Sequence, residues 1–442
     1  MKTKVGSYAI YEPSEEGWQD FEKQLAQVNA DLASHGLEVI SAPEAVFDNE
    51  SCRRVAAWFR DKDIDVLHAL IVSWSFDHYT VEIQQANPVP VAIRAIPGIR
   101  SGSIVGAQQL GCVLTDLEVT HRLFFGALGD DQVAESTADF VKAAGIQRRL
   151  KGARFGVIGR RTEGMTPIAV DEVEILRLFG SRLIHMGMDE FQPWVEQVTL
   201  GEAESTWDDL ASKARVVECS REEAIESVRN YLALKKIIEE FDLQGLSIGS
   251  YPYCQGRMCL PISLLNHEGI ATGCEGDVNS TIAMYILSLL SESPVHFGEM
   301  LDIDVQSNSI VSSHCGAAAL SIADARGYVL CPVRLAHCGV CVRFTSKPGP
   351  ITYVNLVGRK GNYRLCALQG EALPTEMVFE GNPMKIALYA PLKEIWEVVD
   401  RFGFGHHWMA AYGHHVSVIA ELCKLIGIIG VFPELDEIVG RR

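Results

Sequence analysis

Residues 66–96 read VLHALIVSWSFDHYTVEIQQANPVPVAIRAI. Within them Val66–Ser73 and Val89–Ile96 are short runs rich in β-branched and apolar residues, each bounded by turn formers. Continuous apolar runs of this length are the mark of parallel strands buried on both faces. Val5–Ile10 is a third such run. After it Trp18, Phe21, Leu25, Val28 and Leu32 recur at helical spacing, and Gly36 follows as a stop. Strands alternating with helices predict βαβ units and a doubly wound sheet.

The same pattern starts again after the polar segment 147–152. ARFGVIGRR (153–161) reads as a strand, Val170–Phe179 as a helix and Ser181–His185 as a strand. A long helix over Arg221–Phe241 then leads to the strand GLSIGS at 245–250. From about residue 295 the runs SIVSSH, YVLCPVRLAHCGVCVRF, ITYVNLVG, NYRLCAL and KIALYAPL are short and separated by Gly, Pro and Asn. That spacing predicts a mostly antiparallel, barrel-like region. Helices over Leu392–Phe402 and Val416–Ile426 end the chain. The expected fold is therefore α/β, with two Rossmann-like doubly wound α/β domains, 1–150 and 151–294, and a β-rich, barrel-like C-terminal domain, 295–442.

The chain has 442 residues, of which 48% are apolar, enough for real cores. Thirty-nine basic against 57 acidic residues leave a net charge of −18, the wrong sign for gripping nucleic acid or an anionic membrane. The first residues lack the apolar core of a signal peptide, and Val416–Phe432 is broken by Glu421 and Lys424. Twelve scattered cysteines fit reduced, buried thiols, so the expectation is a cytoplasmic protein.

Four places could carry chemistry. In Cys274-Glu275-Gly276-Asp277, Glu275 falls at the start of a helix running to about Ser291, where the helix dipole favours an ionised carboxylate. Such a group suits a hard divalent cation or a proton transfer, although taken alone an acidic helix cap is the commoner explanation. Glu299, Asp302 and Asp304 form a second acidic cluster, which a solvated loop would also explain, and His314 follows in SSHCG. Four of the thirteen histidines, His406, His407, His414 and His415, fall within ten positions; imidazole is a common transition-metal ligand. Cys338–Cys341 forms a CxxC near Cys331 and His337, but structural zinc normally shows two ligand pairs and no second CxxC exists. Neither a P-loop nor a complete dinucleotide fingerprint is present.

Taken together, several segments resemble the L-fucose isomerase/L-arabinose isomerase superfamily, especially its shorter fucose isomerase-like members. They are LIVSWSFDHYT (70–80), PVPVAIRAIPGIRSGSIVG (88–106), RFGVIGRRTEGM (154–165) and DEVEILRLFGSRLI (171–184). The most specific is CLPISLLNHEGIATGCEGDVNSTIAMYILSLLSESPVHFGEMLDID (259–304), followed by NSIVSSHCG (308–316). KPGPITYVNLVGRKGNYRLCALQGE (347–371) and HHWMAAYGHH (406–415) complete the series, whose order along the chain carries the resemblance.

The resemblance implies an aldose–ketose isomerase whose divalent metal, usually Mn²⁺, with Mg²⁺ or Co²⁺ as alternatives, is held by two carboxylates and a histidine. Glu275 corresponds to the first carboxylate, Asp302 to the second with Glu299 or Asp304 as alternatives, and His407 to the histidine with His406 as runner-up. Glu275 and Asp302 would double as the acid/base pair. His314, Gln255, Trp74 and His406 are candidate substrate contacts. A homo-oligomer, trimer or hexamer, is implied, with Trp74 acting on the neighbouring subunit's site. The substrate class the resemblance implies is a pentose, a 6-deoxyhexose or a C6-modified hexose such as a sulfonated one. The competing readings are a non-catalytic two-lobed sugar binder, or an epimerase or lyase built on the same metal site.

Overall fold

The computed structural model describes residues 2–252, 254, 256–291, 293–435 and 437–440. It divides into two compact units, Met1–Arg149 and Leu150–Arg442.

The first unit is built on five parallel strands in the order Glu38–Ser41, Lys4–Ile10, Val66–Ile71, Val91–Ala95, His121–Phe125. The three central strands are buried along nearly their whole length, which is why they read as unbroken apolar runs. Helices over Phe21–Ser34, Asn49–Arg60, Asp77–Ala86, Ser103–Asp116 and Asp131–Leu150 connect or follow them. The start of Asn49–Arg60 is fixed by Asp48, whose side chain accepts from the Ser51 amide at 2.7 Å. A cap of this kind contributes about 1 kcal/mol.

The second unit opens on a four-stranded parallel sheet, ordered Ala271–Gly273, Gly245–Ile248, Arg154–Ile158, Arg182–Met186. Helix Arg221–Phe241 has the bounds the sequence predicts, ending where Asp242 turns left-handed at φ 51°. The unit then becomes β-rich. Strands Gly349–Val357, His407–Tyr412, His296–Asp304, Ser309–Ser313, Met384–Leu388 and Arg364–Leu373 pair in that order, and the last pairs back to the first. All six pairings are antiparallel, so the strands close into a ring. Ile429–Phe432 and Glu437–Val439 extend this sheet from Arg364–Leu373.

Two sequence expectations change here. His296–Asp304 is a single strand rather than a run leading into a solvated loop. YVLCPVRLAHCGVCVRF holds two three-residue strands, Val329–Cys331 and Cys341–Arg343, joined by a turn. Among the described residues no helix is long and apolar enough to cross a membrane.

Candidate active site

The site forms where the parallel sheet of the second unit meets its β-ring. Strand Ala271–Gly273 leads into Cys274-Glu275-Gly276-Asp277, and helix Val278–Ser291 begins directly after. The backbone there turns left-handed twice, at Glu275 (φ 64°) and Gly276 (φ 76°). A Cβ on Gly276 would lie 2.7 Å from the Arg161 Cα, so only glycine fits that contact. The turn is tied down by the Gly276 amide donating to Ile248 O (3.1 Å) and the Thr162 amide donating to Glu275 O (3.2 Å). Glu275 is thereby held at 5% exposure.

Asp277, not Glu275, caps the helix. Its Oδ1 accepts from the Ser280 amide at 3.1 Å, while its Oδ2 accepts from the Ser280 hydroxyl at 2.6 Å. Oδ2 also lies 2.8 Å from His407 Nδ1, across 130 residues of sequence. A carboxylate there makes Nδ1 the donor and fixes the ring's orientation. His407 Nε2 then faces Glu275 Oε2 at 3.2 Å, without the alignment of a hydrogen bond. Both atoms are buried and have no other hydrogen-bond partner. Two lone-pair-bearing atoms facing one another out of water call for a proton or a cation between them.

The titration behaviour follows from that geometry. Burial works against charging His407, but Asp277 and Glu275 override it and push its pKa up to about 10. Burial alone would raise Glu275; the close approach of His407, with His314 and His406 nearby, instead holds it below the usual carboxylate range. Burial pushes His314 and His406 down. The His314 ring lies edge-on to Phe297 (4.9 Å between centroids), with Nε2 3.8 Å from Glu275 Oε1. Phe297 also packs on His407, at 4.7 Å, and the two imidazoles meet edge to face at 6.0 Å. His406 sits 4.0 Å from His407, ring to ring.

A divalent cation fits this constellation. Glu275, His406 and His407 each offer a ligand atom, all within 4.8 Å of one another. The orphaned Glu275 Oε2 and His407 Nε2 are the atoms a cation would satisfy. One carboxylate oxygen with imidazole nitrogens suits Mn²⁺, Co²⁺ and similar ions.

The geometry does not bring Asp302 to this group. Its strand pairs with the His407 strand only from His296 to Glu299, and it is Glu299 that stands opposite His407. A bulge between Met300 and Asp302 then shifts the register against Ser309–Ser313. Asp302 is exposed, its carboxylate accepting from the next backbone amide, Ile303, at 2.9 Å. Asp304 is likewise exposed and folds back onto Ser307. Glu299 is half-buried, and directly opposed residues project to one face of an antiparallel pair. Its charge bears on His314, Cys315 and Tyr353.

Trp74 belongs to the first unit, where its indole N–H donates to Gln109 Oε1 at 3.1 Å. Gln255 lies outside the described residues. The CxxC does not form half of a zinc site: Cys341 faces Cys331 across the strand pair, and Glu275, His406 and His407 are the metal-compatible group found among the described residues. Asp277 is the residue that sequence reasoning passed over. Its signal was present as Asp277-Val278-Asn279-Ser280, a helix-start pattern placing a carboxylate three residues before a hydroxyl.

No family model matches the chain. Among curated proteins, it is 22% identical to a sulfoquinovose isomerase from Priestia aryabhattai over 93% of this chain and 96% of that one. A sulfoquinovose isomerase from a Clostridium species is 26% identical over 77% of both. An L-arabinose isomerase from Herpetosiphon aurantiacus is 20% identical, covering 73% of this chain and 68% of its own length. All of these relatives are sugar isomerases, and the chain is an enzyme of that kind, an aldose–ketose isomerase. The likeness is to the sugar isomerases of the L-fucose isomerase/L-arabinose isomerase superfamily.

Proposed function

We propose that the chain converts a C6-sulfonated aldohexose, sulfoquinovose, into its ketose with the help of a divalent metal held at Glu275 and His407. The observation that carries the metal site is the pair of buried, partnerless atoms, Glu275 Oε2 and His407 Nε2, 3.2 Å apart. Glu299 takes the place expected of Asp302 as the second carboxylate, supported by its pairing with His407. His406 is near enough to complete the set, and the metal is Mn²⁺ or an ion like it.

When bound, the ion would supply Lewis-acid polarisation of the two adjacent sugar oxygens. The chain's own residues move the proton. The reaction takes a proton from C2 of the open-chain aldose, passes through a cis-enediol and returns a proton to C1. Glu275 and Glu299, one on each side of the sugar, are the acid/base pair, and the fixed backbone at Glu275 holds its carboxylate ready. Asp277 keeps the His407 Nδ1 proton in place, so that Nε2 stays directed at Glu275. His314 is poised to meet a sugar hydroxyl beside Glu275.

The sulfonated substrate is favoured over a pentose because the sulfoquinovose isomerases match over more of their own length than the arabinose isomerases do. The protein acts as a cytoplasmic homo-oligomer in which Trp74 of one subunit reaches a neighbour's site. The test is to strip metal, add back Mn²⁺ and assay ketose formation from sulfoquinovose, L-fucose and L-arabinose, with D₂O to report proton exchange. Mn²⁺-restored turnover that is best on the sulfonated sugar is the expected result. Exchange with no ketose would turn the reading towards an epimerase or lyase, and silence with no bound metal would overturn it.

A further inference from the structure

Beside the site lies a pair of thiols that the isomerase chemistry does not use. Cys331 and Cys341 stand directly opposite one another in the antiparallel pair Val329–Cys331/Cys341–Arg343, at the end where the turn begins. Their sulfurs are 3.6 Å apart, and both residues are almost fully buried. A disulfide needs its sulfurs at about 2.0 Å and its Cβ atoms at about 3.5–4.5 Å, the near edge of what cross-strand neighbours already provide. Side-chain rotation closes the remaining gap without breaking the ladder.

The pair is wired to the site through backbone contacts. Gly316 lies directly on Cys341: a Cβ there would come within 2.8 Å of the Cys341 Cβ and 3.0 Å of its sulfur. The Val342 amide donates to Gly316 O (3.1 Å), and the Gly316 amide to His314 O (2.8 Å). His314 is the residue 3.8 Å from Glu275. On the other side, Val333 and Leu335 of the turn line the same small cavity as Glu275 and Cys315.

We propose that Cys331 and Cys341 form a modification site for peroxide, closing to an intramolecular disulfide that slows the enzyme by displacing the His314–Gly316 turn. In the reaction a Cys331 sulfur attacks the O–O bond of hydrogen peroxide, keeping one oxygen as a sulfenic acid while the other leaves as water. The Cys341 sulfur then displaces that oxygen as a second water. Two thiols lose two electrons and one peroxide becomes two waters. Cys331 is the better nucleophile: its contact with the Cys341 sulfur and the nearby Arg343 outweigh burial and lower its pKa, while Cys341 is held well above the ordinary range. The effect on turnover rests on the isomerase reading; the disulfide does not.

The experiment treats the full-length Mn²⁺-loaded protein with millimolar hydrogen peroxide and reads two things separately. Peptide mass spectrometry is expected to show loss of two hydrogens across the Cys331 and Cys341 peptides, reversed by a phosphine reductant. Ketose formation is expected to fall severalfold and to recover with the reductant. C331S and C341S should keep the untreated rate and lose both responses. A different pairing, such as one to Cys259 or Cys315, irreversible sulfinic acids, or no mass change would overturn the site. Disulfide formation with unaltered turnover would overturn the regulatory effect. A protein with no turnover before peroxide would refute the isomerase reading while the mass measurement still decides the thiol pair.

Discussion

His68 in the first unit and His407 in the second are buried to nearly the same depth, 0% and 3% exposed. His68 sits in strand Val66–Ile71 with its Nδ1 3.1 Å from the Ser7 hydroxyl. Desolvation, with a smaller push from Arg94, drives its pKa down to about 3. His407 carries a carboxylate at each nitrogen, and its pKa is pushed up to about 10. Burial alone makes a neutral core histidine. Burial with two ionised partners makes a group that must hold either a proton or a metal. The difference lies in what the fold brings opposite the ring, not in the ring or its depth.

The contrast is broken most forcefully by removing the carboxylate at Nε2. Glu275→Gln should lower turnover by about 10²–10⁴-fold, the usual worth of a positioned acid or base, with an unaltered circular dichroism spectrum. Glu299→Gln should produce a loss of comparable order, whereas Asp302→Asn should leave turnover near that of the parent. Equal losses in the two would return Asp302 to the site. Asp277→Asn should weaken Mn²⁺ binding by about 10–100-fold in a calorimetric titration, as loss of a residue orienting a ligand does.

The smallest effects concern stability, and they run in opposite directions. His68 is charged only in the unfolded chain between pH 6.5 and about 3, so stability should fall as pH drops through that window. In the metal-free protein His407 contributes stability that is fully present below pH 6.5 and is lost as pH rises through about 10. Urea melts across pH should show an acid limb flattened by His68→Met and an alkaline limb flattened by His407→Gln. An alkaline limb that survives His407→Gln would show that the two carboxylates do not raise this ring.

Much of the fold was legible because local chemistry fixed it. The buried strands of the first unit announce themselves as β-branched runs, and helices Leu392–Phe402 and Val416–Ile426 end at Gly403 and Gly427, both left-handed. The site was legible only in pieces. Glu275 and the histidine cluster are visible as residue types, but that Asp277 reaches His407 depends on a pairing across 130 residues. No periodicity encodes that meeting. Asp302 misleads for a similar reason. In sequence it lies three positions from Glu299, yet the bulge after Met300 shifts its register, and it falls beyond the end of the His407 strand pairing. Likewise, the CxxC spacing of Cys338 and Cys341 does not reveal that strand register sets Cys331 opposite Cys341.

The left-handed backbone at Glu275 has a consequence for how such a protein can drift. A φ of 64° is comfortable for glycine and tolerable for asparagine or aspartate, and a long side chain there works against its own backbone. Random substitution at this codon therefore has a downhill direction in conformational energy, and every step along it shortens or erases the carboxylate. Lineages that keep glutamate must be retaining it against that slope. Descendants that lost the chemistry should show glycine or asparagine at this position early, with the rest of the scaffold still intact.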